Sequence, residues 1–141
     1  MVKITVLGKP VAKARPRFTR RGHTYTPATT VEYEKRIQQA AKEQLKGEAL
    51  FKECPLAVTL QFWLPIPKSW SKKKRALALD GELLPISRPD IDNYEKAVLD
   101  ALNDVIYHDD SQVVYKASFK AYSDEPRTEI GIIKAEDINV Q

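Results

Sequence analysis

An α+β domain, a mixed four-stranded sheet with two main helices packed on it, is the fold this sequence predicts. Three observations lead there. Four segments carry strand-like apolar runs or alternation, two longer segments carry apolar residues at helical spacing, and turn residues separate them in the order β-α-β-α-β-β. The 141 residues suit one domain spanning 1–141, and a hydrophobic content of 43% is enough for a core.

Met1–Leu7 alternates weakly and reads as the first strand. Residues 8–27 form a basic arm whose three prolines forbid a continuous helix. Arg15, Arg17, Arg20 and Arg21, with Lys13 before them, are interleaved with Phe18 and Tyr25. Such a segment suits phosphate contact and stacking on exposed bases; the alternative is a solvated loop with both rings tucked into the core. Thr29 and Glu32 have capping-box spacing, so a helix is expected from there to about Lys46, with Tyr33, Ile37, Ala40, Ala41 and Leu45 inward and Gly47 as its stop.

Leu56–Leu64 is the clearest strand, with Leu56, Val58, Leu60, Phe62 and Leu64 on one face and Pro65 and Pro67 ending it. In the basic segment 68–75, Ser71 suits the cap of a short helix through Leu79 that carries Lys72, Lys73, Lys74 and Arg75 in its first turns. Cations are disfavoured at a helix N-terminus, and a bound phosphate would relieve them; a solvated charged face is the alternative. Trp70 fits either a core position or a stacking platform. The second main helix opens at Pro89 and Asp90 and carries an apolar stripe of Ile91, Tyr94, Val98, Ala101, Leu102 and Val105. Val113–Tyr122 reads as a long strand with Tyr115, Ala117, Phe119 and Ala121 on one face. After a turn at Ser123–Arg127, Thr128–Ala135 is expected to return as its hairpin partner, with a frayed tail after Glu136.

The net charge is +4 and the isoelectric point about 9.1, which favours polyanionic partners. The distribution is more informative. Residues 1–31 hold seven Lys or Arg and no acid, whereas residues 88–110 hold seven acids against Arg88 and Lys96. Cys54 is the lone cysteine, so no intramolecular disulfide exists, which fits a reducing cytosol. Lys3 interrupts the apolar N-terminus, so no signal peptide is expected, and no run approaches membrane-spanning length.

The stretch 88–114 packs two acidic clusters around one short helix. Asp90 and Asp92 open its helix; Asp92, Lys96, Leu99, Asp100 and Asn103 share the side away from the apolar stripe; Asp109 and Asp110 follow just before a strand. If that strand runs beside the helix start, the two acidic clusters meet, and a folded chain tolerates such repulsion when a cation is bound. Oxygen donors without Cys or His select a hard ion, Mg²⁺ first, with Mn²⁺ able to substitute. Glu95 stands where a calcium-hand loop starting at Asp90 would need Gly. Taken singly, Asp90 reads as a helix cap, Lys96 as a surface residue paired with Asp92 or Asp100, and Asp109-Asp110 as a turn; His23 and His108 are isolated.

The ordered set DIDN, Lys96, LDALN and DDSQV resembles the RusA-type Holliday-junction resolvases, common in prophages, most strongly over Arg88–Val114 and less closely over Pro65–Arg75. Tyr94 departs from the pattern, at a core-facing position. The resemblance implies that Asp90, Asp92, Lys96 and Asp110 are essential, with Mg²⁺ at the three aspartates and Lys96 on the scissile phosphate. It further implies Asn93, Asp100 and Asp109 as supporting residues; the arm matches the family more weakly, and DNA contact by the arm and by Lys72–Arg75 is expected from their own charge. The expected partners are branched DNA and a second copy in a two-fold homodimer, because paired symmetrical nicks need two active sites. The expected setting is the cytoplasm of a bacterium, from a bacterial or phage gene. A DNA-binding module without catalysis and a metal-dependent flap or single-strand nuclease are the rival readings.

Overall fold

A computed structural model of the chain describes residues 1–14, 17–45 and 51–138. The elements are β1 (Val2–Leu7), β2 (Arg17–Phe18), β3 (Thr24–Tyr25), α1 (Ala28–Leu45), β4 (Leu56–Pro65), α2 (Lys72–Leu79), α3 (Ile91–Ala101), β5 (Val113–Ser123) and β6 (Arg127–Lys134). The α+β class and the mixed four-stranded sheet are as the sequence predicts. The sheet order is β1-β6-β4-β5; β5 runs parallel to β4, and the other pairs are antiparallel.

The expected hairpin between the last two strands does not form. β4 lies between β5 and β6, pairing Trp63 with both Ala121 and Arg127. Its inward residues Leu56, Val58, Leu60 and Phe62 are all buried, so burial is greatest when β4 takes the centre of the sheet. The connector Asp124–Pro126 must then step over one strand, about 9.6 Å at the usual interstrand spacing, which three residues can span. The Arg127 guanidinium fastens it by donating to Ser123 Oγ and to the Glu125 carbonyl.

One sheet face carries the core. Ile4, Val6, Ile130 and Ile132 join the β4 row against Tyr33, Ile37 and Ala41 of α1 and Tyr94, Ala97 and Val98 of α3. The Phe62 ring stacks on Tyr94 with centroids 5.2 Å apart. Burial raises the Tyr33 phenol to about 12 despite the hydroxyl of Thr128 bonded to it. On β5 the face predicted from Tyr115, Ala117, Phe119 and Ala121 turns away from α3, and Tyr115 and Phe119 stay exposed, Phe119 edge-on to Trp63. The alternate residues Lys116, Ser118 and Lys120 look inward instead.

α1 starts one residue before the expected cap. Thr29 therefore lies inside its first turn, and the Pro27 carbonyl accepts the Thr30 and Val31 amides, so the Thr29–Glu32 capping box is not used. Lys46 and Gly47, the expected end of this helix, lie outside the described residues. The tail begins with a 3-10 turn at Ala135–Asp137, tied by the Ala135 amide to the Pro55 carbonyl. Among the described residues no helix is long and apolar enough to cross a membrane.

Candidate active site

α3 supplies one wall of the site, and its amphipathicity explains how. Tyr94, Ala97, Val98 and Ala101 anchor it to the core, which turns Asp92 and Lys96 to solvent and leaves Asp100 half-buried. Asp90 stands at the N-cap position with extended backbone (φ −67°, ψ 151°), yet its carboxylate accepts no capping hydrogen bond. The bland role for Asp90 is thus unfilled, and its exposed carboxylate is free of the helix it introduces. The chain before it is pinned from the sheet, where Lys120 Nζ donates to the carbonyls of Ser87 (2.9 Å) and Pro89 (3.1 Å).

Beyond α3 the chain turns back through Leu102–Tyr107, buried at Leu102, Ile106 and Tyr107. The Tyr107 hydroxyl donates to the Leu99 carbonyl (2.6 Å), and burial, followed by the charges of Asp110, Asp100 and Asp109, pushes its pKa far up. The return delivers Asp110 to the helix. Its amide donates to Asn103 Oδ1 (2.9 Å), which ties the start of a 3-10 turn at Asp110–Gln112 to the end of α3. Asp109 caps that turn, accepting the Ser111 amide, while Gln112 Oε1 accepts the amides of His108 and Asp109. Bonding to Ser111 lowers the Asp109 pKa. Asp110 moves the other way: partial burial first, then the charges of Asp109 and Asp100, raise it, and Lys96 offsets part of that rise. Asp110, Asp100 and Lys96 therefore share one electrostatic neighbourhood.

Lys96 is 63% exposed and lies 3.7 Å from Asp100 Oδ2, so of its two expected partners it takes Asp100. Asn93 contributes through its backbone, its carbonyl accepting the Lys13 amide (2.8 Å). Lys13 Nζ reaches Glu34 Oε1 (2.6 Å) and Asp100 Oδ2 (3.5 Å). Burial alone would lower the Lys13 pKa, but Glu34 and then Asp100 outweigh it and raise it. His108 lies 3.4 Å from Asp104, both exposed.

The expected metal set of Asp90, Asp92 and Asp110 has suitable donors, all of them hard oxygens. Among the described residues, however, no three His, Cys, Asp or Glu side chains already converge closely enough to hold a metal. Mg²⁺ rarely needs such a cage: it binds one or two carboxylates and completes its shell with water and substrate phosphate. Two unbonded, exposed carboxylates at the helix start and the charge-stressed Asp110 fit that mode of binding.

The basic surfaces are more ordered than a loop reading allows. Within the arm, β2 pairs with β3, Arg17 opposite Tyr25 and Phe18 opposite Thr24. Gly22, at φ +80°, closes the turn with its amide on the Thr19 carbonyl, and Arg20 and Arg21 stand exposed at the tip. Phe18 is 74% and Tyr25 48% exposed, so neither ring is tucked into the core. Arg15 and the side chain of Arg17 lie outside the described residues. α2 begins as the sequence predicts, Ser71 Oγ accepting the Lys74 amide, with Lys72, Lys73 and Lys74 exposed and Arg75 half-buried. Trp70 is neither core nor a free platform: its ring is half-buried against Tyr122, and Lys74 Nζ sits over it at 4.0 Å.

Sequence reasoning missed Glu95, Lys116, Ser118 and Lys120. Glu95 is buried on α3 and bonded to Ser118, with Lys116 3.3 Å away. The period-2 polarity of Lys116, Ser118 and Lys120 was the available signal.

The profile of one family, described as Endodeoxyribonuclease RusA, matches residues 8–133. A protein of Bacillus subtilis (strain 168), named Uncharacterized protein YqaN, is 43% identical over 136 residues, covering 93% of this chain and 94% of the relative.

Proposed function

This chain belongs to the RusA endodeoxyribonuclease family, and we propose that it is a Mg²⁺-dependent, structure-selective nuclease that resolves four-way DNA junctions by paired symmetrical nicks. Family membership carries the endodeoxyribonuclease class and the branched-DNA substrate. The observation that supports the finer reading is the exposed set of Asp90, Asp92 and Lys96 on α3, with the half-buried Asp110 tied beside the end of that helix, inside a protein of net charge +4.

In this reading Asp90, Asp92 and Asp110 hold Mg²⁺ together with a DNA phosphate, and Mn²⁺ can replace it. The ion, when bound, lowers the pKa of a water and offsets charge on the phosphoryl oxygens. The chain's own residues do the rest. Lys96, on an exposed four-carbon stem, reaches the scissile phosphate and stabilises the charge that builds there. Asp100 and Asn93 hold the face of α3 from which the ligands project, and Asp109 fixes the turn that presents Asp110. Symmetrical cutting requires two such sites, hence a two-fold homodimer acting in the cytoplasm. The test is a junction with each strand labelled in turn: cuts at matching positions on two opposed strands support the reading, and cuts confined to one strand or to free ends support a flap or single-strand nuclease.

The arm and α2 form the DNA-binding surface: Arg15, Arg17, Arg20 and Arg21 on the arm, Lys72, Lys73, Lys74 and Arg75 on the helix. The exposed Phe18 and Tyr25 rings suit stacking on unpaired bases at the branch point. Removing a cation that neutralises one phosphate should reduce the slope of log affinity against log salt by about 0.9. Changing Arg20 and Arg21 together to Ala should therefore weaken junction binding at moderate salt and flatten the slope by about two units. An unchanged slope would mean that the ribbon tip is merely solvated.

A further inference from the structure

Lys13 belongs to the basic arm in sequence and reads there as one more phosphate ligand, but its surroundings point elsewhere. Its side chain is only 21% exposed, and its ammonium is held between two elements, donating to Glu34 of α1 at 2.6 Å and lying 3.5 Å from Asp100 of α3. Its own backbone amide is bonded to the Asn93 carbonyl. The root of the arm is thereby stitched to α3 at Asn93 and at Asp100, about 10 Å apart along the helix at its usual rise.

The arrangement has a consequence for Lys96. Asp100 Oδ2 lies 3.5 Å from Lys13 Nζ and 3.7 Å from Lys96 Nζ, so two ammonium groups share one carboxylate oxygen. Lys96 is the exposed member of the pair and Lys13 the enclosed one. If Lys96 serves the scissile phosphate, it must leave this oxygen, wholly or in part, to do so. We propose that Lys13 is a positioning residue for Lys96: by occupying Asp100 from the protein side it weakens that carboxylate's hold on Lys96 and leaves the Lys96 ammonium available to the DNA. Without Lys13, Glu34 and Asp100 would be uncompensated on this side. Asp100 would then bind Lys96 more tightly, and the added negative charge beside Asp110 would oppose the phosphate. This inference rests on the nuclease reading.

Lys13→Met should lower the single-turnover rate on pre-bound junction about tenfold, a modest share of what one charge-assisted transition-state interaction supplies. The salt slope of binding should stay as in the wild type. In a Lys96→Met background the same substitution should add nothing to the rate, because its effect passes through Lys96. Glu34→Gln separates positioning from a merely structural clamp. It releases Lys13 towards Asp100, so the rate should hold or rise, whereas loss of a clamp would lower it. Lys13→Arg should recover most of the rate. If Lys13→Met folds poorly, the Glu34→Gln and Lys13→Arg results decide alone, and a fall in both would overturn the inference. A salt slope flattened by about one unit, with an unchanged rate once bound, would return Lys13 to the phosphate-binding set. A wild-type protein that cuts no branched DNA would overturn the nuclease reading and this inference together; a fully active Lys13→Met variant beside an active wild type would overturn this inference only.

Discussion

Asp92→Asn is expected to abolish junction cleavage while junction binding survives, and Asp90→Asn and Asp110→Asn should do the same. Each change keeps the shape of the side chain and removes one anionic oxygen donor. Stabilisation by a bound metal is worth several kcal/mol in the transition state, and losing about 4 kcal/mol corresponds to a fall on the order of a thousandfold. Folding should be almost untouched, because the Asp90 and Asp92 side chains are exposed and Asp90 makes no cap bond. Binding should hold or tighten, since one charge that repels the phosphodiester backbone is gone. For Asp110 the change also relieves the crowding with Asp109 and Asp100 that raises its pKa. The combination of abolished cleavage, retained affinity and retained melting temperature is the signature to look for in gel shift, single-turnover cleavage and thermal denaturation. Near-normal cleavage by two of the three variants would remove these aspartates from the site.

Lys96→Met carries the second large effect. The substitution keeps most of the stem and deletes the charge. If Lys96 only neutralised Asp100, little would follow: the ammonium is 63% exposed at 3.7 Å, and an exposed i,i+4 pair is worth about 0.3–0.5 kcal/mol. Added metal would then compensate. An interaction with the scissile phosphate in the transition state is charge-assisted, and its removal costs on the order of a hundredfold in rate or more. The expected result is a steep fall in single-turnover cleavage, a melting temperature that barely moves, and no recovery in excess Mg²⁺. A wild-type single-turnover rate would leave Lys96 as a surface pair.

Much of this was legible in the chain before its fold, and the pattern of what was not has physical causes. α3 was readable because both of its faces carry a signal: the apolar stripe through Tyr94 and Val98 is buried, and Asp92 and Lys96 are exposed. The strand at Leu56–Pro65 was readable for the same reason. Period-2 alternation on β5 separated its two faces correctly but could not say which one α3 would cover. An edge strand with large rings on one side and Lys116, Ser118 and Lys120 on the other gives no rule for that choice, and the buried carboxylate of Glu95 takes the polar side.

The hairpin expectation failed because adjacency in sequence is only a tendency, and the burial demanded by β4 outweighed it. Long-range ion pairs were beyond any local rule. Lys13 meets Glu34 and Asp100 across 21 and 87 residues of sequence, so a basic residue in a basic arm gave no hint that it belongs to the helix wall. The proposed site was legible as residue types and order. The bonds that assemble its frame, from the Asp110 amide to Asn103 and from Lys120 to the Ser87 and Pro89 carbonyls, were not.

The most direct test of the central claim is cleavage of a synthetic four-way junction compared with linear duplexes of the same sequence, each with Mg²⁺ and with chelator. The account predicts rapid paired nicking of the junction in Mg²⁺, little cutting of the duplexes, no cutting of either in chelator, and junction binding in both conditions. Equal cutting of junction and duplex, or junction cutting that persists in chelator, would contradict it.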